Sequence, residues 1–232
     1  MLVGTTNEMV RKEWLHKTLS AIPKGFRLLD AGAGELANKK YCSHLTYVSQ
    51  DFCQYEGSGD KRGLQRGSWD TERVDIVCDI TNISEGNESF DVILCSEVLE
   101  HLPNPVLALQ EFRRLLKSGG TLILTAPFCS LTHFSPYHYS TGFNRYFYEY
   151  HLEKIGFEIT EISTNGNYFD YLAQEIRRIP AIADSYSSMK LSRLERIAAK
   201  VLLGALSRFK KKDKGSEELL CFGYHVAAKK RQ

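Results

Sequence analysis

The chain has 232 residues, 43% of them hydrophobic and 25% charged, with a formal net charge of +2. Those proportions exclude a wholly disordered or collagen-like chain and leave enough apolar mass for one large α/β domain. No apolar run approaches the roughly 18 residues of a spanning helix, and the opening MLVGTTNEMVRKEW has no hydrophobic signal core. The cysteines at 42, 53, 78, 95, 129 and 221 form no CxxC pair. Reduced thiols in the cytoplasm are therefore expected, rather than a disulfide framework or a metal site. The charge is uneven: residues 189–232 carry twelve Lys or Arg against four acids, and the rest carries a net −6. An acidic body argues against a nucleic-acid partner.

In chain order, residues 7–21 read as an amphipathic helix ended by Pro23 and Gly25. FRLLDAGAGE is a buried strand running into a glycine turn. TYVSQD (46–51) and VDIVCD (74–79) are strands that each end in an acid, separated by a polar, glycine-rich loop over 54–73. FDVILCSE (90–97) is a fourth strand. Asn104 and Pro105 start a helix whose apolar face is Leu109, Phe112, Leu115 and Leu116, and Ser118-Gly119-Gly120 is expected to end it as a glycine cap. TLILTAPF (121–128) is a fifth strand, FEITEIS a sixth and 218–230 the last. About fifty residues with two helical segments precede that last strand, the longer over 189–209. Strands alternating with helices predict a doubly wound, mostly parallel seven-stranded sheet, Rossmann-like, with helices on both faces and a helical insert before the last strand. The organisation expected is one domain over 1–232, with a cofactor-binding core at 26–128 and acceptor-side, lid or interface insertions at 129–151 and 165–216.

Ligands of such sheets sit beyond the carboxyl ends of the strands. Asp30, Ala31, Gly32 and Gly34, then Asp51 with Phe52, Asp79 with Ile80, and Ser96 with Glu97 all fall there. Glycines at 32 and 34 let the backbone turn and approach a ligand. Asp51 can accept both hydroxyls of a ribose, Asp79 an exocyclic amine, and Asp30 can attract an ammonium group. LLDAGAGE, Asp51, CDI at 78–80, FDVILCSEVLEHLPNP and LLKSGGTLILTAP together resemble the class I S-adenosylmethionine-dependent methyltransferases over about 26–128. The resemblance implies that Gly32 and Gly34 underlie the methionine part of S-adenosylmethionine, that Asp51 holds its ribose, and that Asp79 and Ile80 meet its adenine. The family often has a third glycine where this chain has Leu36. GAGELA also fits a dinucleotide fingerprint, which keeps a nicotinamide-dependent oxidoreductase as the rival, with a non-catalytic scaffold behind it. Asp30 favours the methyl donor, since it would repel a pyrophosphate. The plainer reading is that Asp30 and Asp79 only cap helices. His101, in EVLEHL, either faces the cofactor or packs at a helix start, and packing is the commoner fate.

Residues 133–151 hold eight of the 26 aromatic residues and three of the seven histidines. This segment follows the fifth strand, beside where a bound methyl group would point, and reads as an acceptor pocket and lid. His133 and His138 are the candidate bases for an oxygen acceptor, with Tyr139 beside them. Tyr146, Phe147 and Tyr150 are expected on a helix, as core. The acceptor expected is a small or glycan-like molecule, methylated at oxygen. No metal is expected. The 189–212 segment has an apolar face flanked by Lys190, Arg193, Arg196, Lys200 and Arg208. It suits packing on the domain, a homodimer, or peripheral contact with an anionic membrane.

Overall fold

A computed structural model of the chain describes residues 3–232. Seven strands form one sheet in the order β3-β2-β1-β4-β5-β7-β6. They are β1 (Arg27–Ala31), β2 (Thr46–Asp51), β3 (Ile76–Val77), β4 (Phe90–Ser96), β5 (Leu116–Pro127), β6 (Phe157–Asn165) and β7 (Gly223–Lys230). Strands β1 to β5 pair in parallel and β7 runs antiparallel to β5. The helices are α1 (Asn7–Ser20), α2 (Pro105–Leu115), α3 (Arg145–Ile155), α4 (Tyr168–Tyr186) and α5 (Arg193–Lys210). The doubly wound, mostly parallel expectation is met.

The chain divides into two compact units, Lys12–Ser163 with Gly223–Gln232, and Met1–Arg11 with Thr164–Phe222. In the first, side chains alternate across the sheet. Leu28, Val92, Leu94 and Ile123 pack with Leu15 and Leu19 of α1. Their neighbours Leu29, Ile93 and Leu124 point the other way and are equally closed to solvent. Both faces are thus covered, as continuous apolar strands require. In the second unit, Val3, Ala173 and Leu206 form a small core with Phe169, Leu172, Ile176 and Leu203. Asp170 is 1% exposed there and accepts from the Gly4 amide at 3.1 Å and from Lys210 Nζ at 2.8 Å.

Four helix starts carry their signal in sequence. Asn104, Asn144 and Asn167 each accept a backbone N–H of the first turn, and Ser192 with Glu195 forms a complete capping box. Other boundaries move. Ser118-Gly119-Gly120 does not cap α2: the helix stops at Leu115, and Leu116 already pairs with Phe90 as the start of β5. The expected third strand shrinks to Ile76–Val77, because it is a sheet edge with one partner and Val77 is 63% exposed. The last strand begins at Gly223, and the residues from Ser216 to Glu218 form a short 3-10 turn instead. On α3 the buried residues are Tyr148 and Leu152, whereas Tyr146 and Tyr150 are exposed, so the expectation of core fails for those two.

Candidate cofactor and acceptor site

The carboxyl ends of β1, β2 and β4 meet at one edge of the first unit. The turn after β1 folds back on β2, with the Gly32 and Ala33 amides both donating to Gln50 O at 2.9 Å. Gly32 and Gly34 have φ of +74° and +49°. A Cβ on Gly32 would meet Val98 at 2.5 Å, and one on Gly34 would meet the Trp69 ring at 2.5 Å. Conformation and close approach both require glycine there. Leu36, at the third position of the motif, also takes a left-handed φ of +60°. It holds the backbone that glycine would hold, at a cost of about 1–2 kcal/mol.

Asp51 is 7% exposed at the end of β2. Its Oδ2 accepts from Gly34 N and its Oδ1 from Cys53 N, both at 2.9 Å. The carboxylate is thereby oriented by two amides, and each oxygen keeps a second lone pair for a hydroxyl. Gln50, 1% exposed, donates to Cys78 O at 2.7 Å and ties the β3 end to the glycine turn. Sequence reading missed it, although a polar residue inside a buried strand was the available signal. Asp79 is exposed and accepts from Thr81 N and Oγ1 at 2.8 Å, capping its own turn, while the adjacent Ile80 is buried. Asp30 lies behind the turn, 1% exposed, accepting from Tyr47 OH at 2.6 Å. Burial raises its pKa to about 7, with the Tyr47 hydrogen bond opposing and the charge of Asp51 adding to the rise.

At the end of β4, Ser96 Oγ lies 2.8 Å from Thr125 Oγ1, which donates to Glu97 Oε1 at 3.0 Å. Glu97 has a φ of +57°. Among the described residues six non-glycine residues are left-handed, and five of them, Leu36, Cys53, Lys61, Glu97 and Phe134, lie on the turns and loops that follow the strands at this edge. Strain of this kind gathers at functional sites.

The loop over 54–73 is more than a polar connection. Leu64 N donates to Thr132 O at 2.9 Å, Phe134 N to Leu64 O at 3.1 Å, and Asp60 N to Ser135 O at 3.1 Å. The loops after β2 and β5 are thus zipped together. Tyr55, Trp69 and Phe134 cluster at the seam, with centroids 4.4 Å apart for the tilted Tyr55–Phe134 pair and 5.0 Å for the edge-on Trp69–Phe134 pair. Phe52, 36% exposed, meets Tyr137 edge-on at 4.9 Å. Tyr55 and Trp69 were not singled out from sequence, because only the pairing of the two loops brings them to the glycine turn.

The acceptor-side candidates converge. His101 sits in a 3-10 turn (Leu99–His101) and its Nδ1 lies 2.6 Å from Tyr137 O. The Glu100 carbonyl accepts from Tyr139 N at 3.0 Å and Ser140 N at 3.2 Å. These bonds staple the loop to the turn that carries His101. His101 also faces the two loop histidines: centroids are 4.7 Å for His101–His133, 4.8 Å for His133–His138 and 5.9 Å for His101–His138. Burial, then the nearby His133, push the His101 pKa down to about 3, and the same two causes lower that of His138. His138 Nε2 is 3.2 Å from Ser130 Oγ. Tyr139 is 54% exposed and joins through its backbone only as far as these bonds go.

An open parallel sheet with a glycine turn after β1 and an acid after β2 defines a nucleotide-cofactor fold. Residues 29–124 match the family model of a methyltransferase domain. That match supports a class I S-adenosylmethionine-dependent methyltransferase over this stretch of the chain. Curated relatives include the ubiquinone biosynthesis O-methyltransferase of Xylella fastidiosa (strain M23), 29% identical over 120 residues, which are 50% of this chain and 47% of the relative. The same-named protein of Xanthomonas oryzae pv. oryzae (strain PXO99A) is 40% identical over 63 residues, covering 27% and 26%. The matches thus span about half or less of these relatives. Among solved structures, phosphoethanolamine N-methyltransferase 2 of Haemonchus contortus with S-adenosyl-L-methionine superposes with a TM-score of 0.55 at 17% identity, covering 96% of this chain and 53% of that one. Geranyl diphosphate C-methyltransferase of Streptomyces coelicolor gives 0.56 at 13%, covering 96% and 79%. The cyclase SpnF gives 0.59 at 18%, covering 98% and 84%. At these identities the likeness shows the fold alone. Among the described residues no helix is long and apolar enough to cross a membrane, and all six cysteines are free.

Proposed function

We propose that the protein transfers the methyl group of S-adenosylmethionine to an oxygen of a small or glycan-like acceptor. The observation that carries this reading is the amide-clamped Asp51 beside the Gly32–Gly34 turn, inside the stretch that matches the methyltransferase family. In this reading Asp51 takes the ribose hydroxyls, and Phe52, Asp79 and Ile80 border the adenine. Gly32, Gly34 and Ala31 give the methionine part room. Asp30, buried behind the turn, supplies a negative field for the donor's ammonium group, and Ser96 and Glu97 close the β4 side.

The donor is already activated, so positioning provides most of the rate. When bound, S-adenosylmethionine would supply a methyl group activated by its sulfonium, and transfer to the acceptor oxygen would leave the carbon–sulfur electron pair on a neutral thioether. The acceptor's hydroxyl proton passes to a base. His138 is the proposed base, kept neutral by burial and by His133, with Ser130 fixing its ring. His133 and Tyr139 flank it. On α5, the exposed Leu194, Ile197 and Val201 lie among Arg193, Arg196 and Lys200. This pattern supports contact of residues 189–212 with an anionic lipid surface. Flotation with vesicles containing phosphatidylglycerol would show that contact, and sedimentation as a dimer would show a second copy there instead.

Transfer is tested with S-adenosylmethionine carbon-13 labelled at the methyl group and matched panels of hydroxylated aromatics, saccharides and amines. O-methyl resonances are expected in the product spectrum. N-methyl products would overturn oxygen as the target. No consumption of donor with any acceptor would overturn the transfer reading.

A further inference from the structure

Among the described residues, Glu100, His101 and His133 each offer one ligand atom, and these atoms lie within 4.8 Å of one another. The two imidazoles are oriented from behind. His101 Nδ1 is 2.6 Å from Tyr137 O and His133 Nδ1 is 2.8 Å from Leu131 O. A carbonyl can only accept, so both rings carry a proton on Nδ1 and the lone pair on Nε2. A backbone carbonyl behind each ring is the second layer that metal-ligating histidines ordinarily have. His101 Nε2 already lies 3.8 Å from Glu100 Oε1. Glu100 is 1% exposed, which separates this group from the exposed acidic clusters common on protein surfaces. A buried carboxylate beside neutral imidazoles favours a cation.

We propose that Glu100, His101 and His133 bind a divalent cation of borderline softness, of the Zn2+, Fe2+ or Mn2+ kind. Two imidazoles and one carboxylate match that class rather than Mg2+ or Ca2+, which take oxygen ligands. Metal–ligand bonds of about 2.0–2.2 Å require the donors to draw in by about 1 Å. That movement falls to the loop carrying His133, which backbone bonds, the Gln65 side chain and the Tyr55–Phe134 ring contact hold to the Leu64 loop. Three protein ligands leave a coordination position open. His138 stands beside it, its ring 4.8 Å from that of His133. A hydroxyl of the acceptor suits the open position, where a cation would ease loss of its proton. That last step deepens the proposed transfer to oxygen and rests on it; the cation site does not.

The test is calorimetric titration of the chelator-stripped full chain with Zn2+ alone, and with Mg2+ for comparison, in the absence of methyl donor. One Zn2+ per chain is expected, with little response to Mg2+. His133→Ala and Glu100→Gln each weaken the site at least tenfold, and His151→Ala, on α3, leaves it unchanged. Glu100 is buried, so circular dichroism checks that variant's fold. If it fails to fold, His133→Ala, in a loop, decides alone. Absence of a saturable site, or a site of undiminished affinity in His133→Ala, overturns the proposal. Zn2+ binding in a protein that consumes no methyl donor would leave the cation site standing and remove the transfer reading.

Discussion

The strand-end edge of the first unit and the α4–α5 pair of the second solve different problems with the same chemistry. At the edge, the two buried carboxylates are held by neutral donors. Asp30 is held by a tyrosine with its pKa raised, Asp51 is clamped by amides, and five left-handed residues lie on the turns and loops that follow the strands. In the α4–α5 unit the deeply buried Asp170 has a lysine and a backbone amide on it, and several apolar side chains of α5 are exposed. A carboxylate already neutralised by an internal cation supports structure. One left with neutral donors is available to a cation from outside.

Substitutions at four positions sharpen that contrast, the largest effect first. Asp170→Asn removes the partner of Lys210 and should destabilise the protein by about 3 kcal/mol, read by urea denaturation. Asp30→Asn should act in the opposite direction where the acid is ionised. The native pKa of Asp30 is raised from 3.8 to about 7, so its stability contribution is complete below about pH 4 and is lost as pH rises through 7. The variant lacks that loss. Without ligand it should gain on the wild type progressively between pH 4 and 8, by on the order of a few kcal/mol at the upper end. Equal pH dependence in the two proteins would refute the assignment. At Leu36, replacement by Ala keeps the left-handed strain and replacement by Gly relieves it, so Leu36→Gly should be more stable than Leu36→Ala by about 1 kcal/mol. Val201→Ser on α5 should change the denaturation midpoint by less than about 0.5 kcal/mol, because that side chain is 66% exposed.

The two regions also differ in how far sequence could read them. The strand end at Asp51, the Asn104 cap with Pro105 and the presence of two helices in the insert were legible, since each rests on local chemistry. By contrast, β4 stops at Ser96 rather than Glu97, and α5 starts at Arg193 rather than 189 and is the shorter of the two. The glycine stop at 118–120 misled, because pairing of Leu116 with Phe90 is a tertiary gain that local propensity does not contain. Glycines 32 and 34 announced the turn, but Trp69 against Gly34 could not be foreseen from a loop 35 residues away. The histidines show the same limit. His133 and His138 drew attention by composition, and His101 by its motif. Their convergence with Glu100 depends on the stapling of two loops, so the sequence reading placed no cation there.

We propose that the Asp51–glycine edge holds S-adenosylmethionine. Calorimetry of the full chain with S-adenosylmethionine, S-adenosylhomocysteine and NAD, beside the Asp51→Ala variant, decides this. Saturable binding of both sulfur compounds, weakened about 100-fold or more in Asp51→Ala (roughly 3 kcal/mol) and with no response to NAD, is the result expected. Binding of NAD in their place, or affinity for the sulfur compounds that survives in Asp51→Ala, would contradict it.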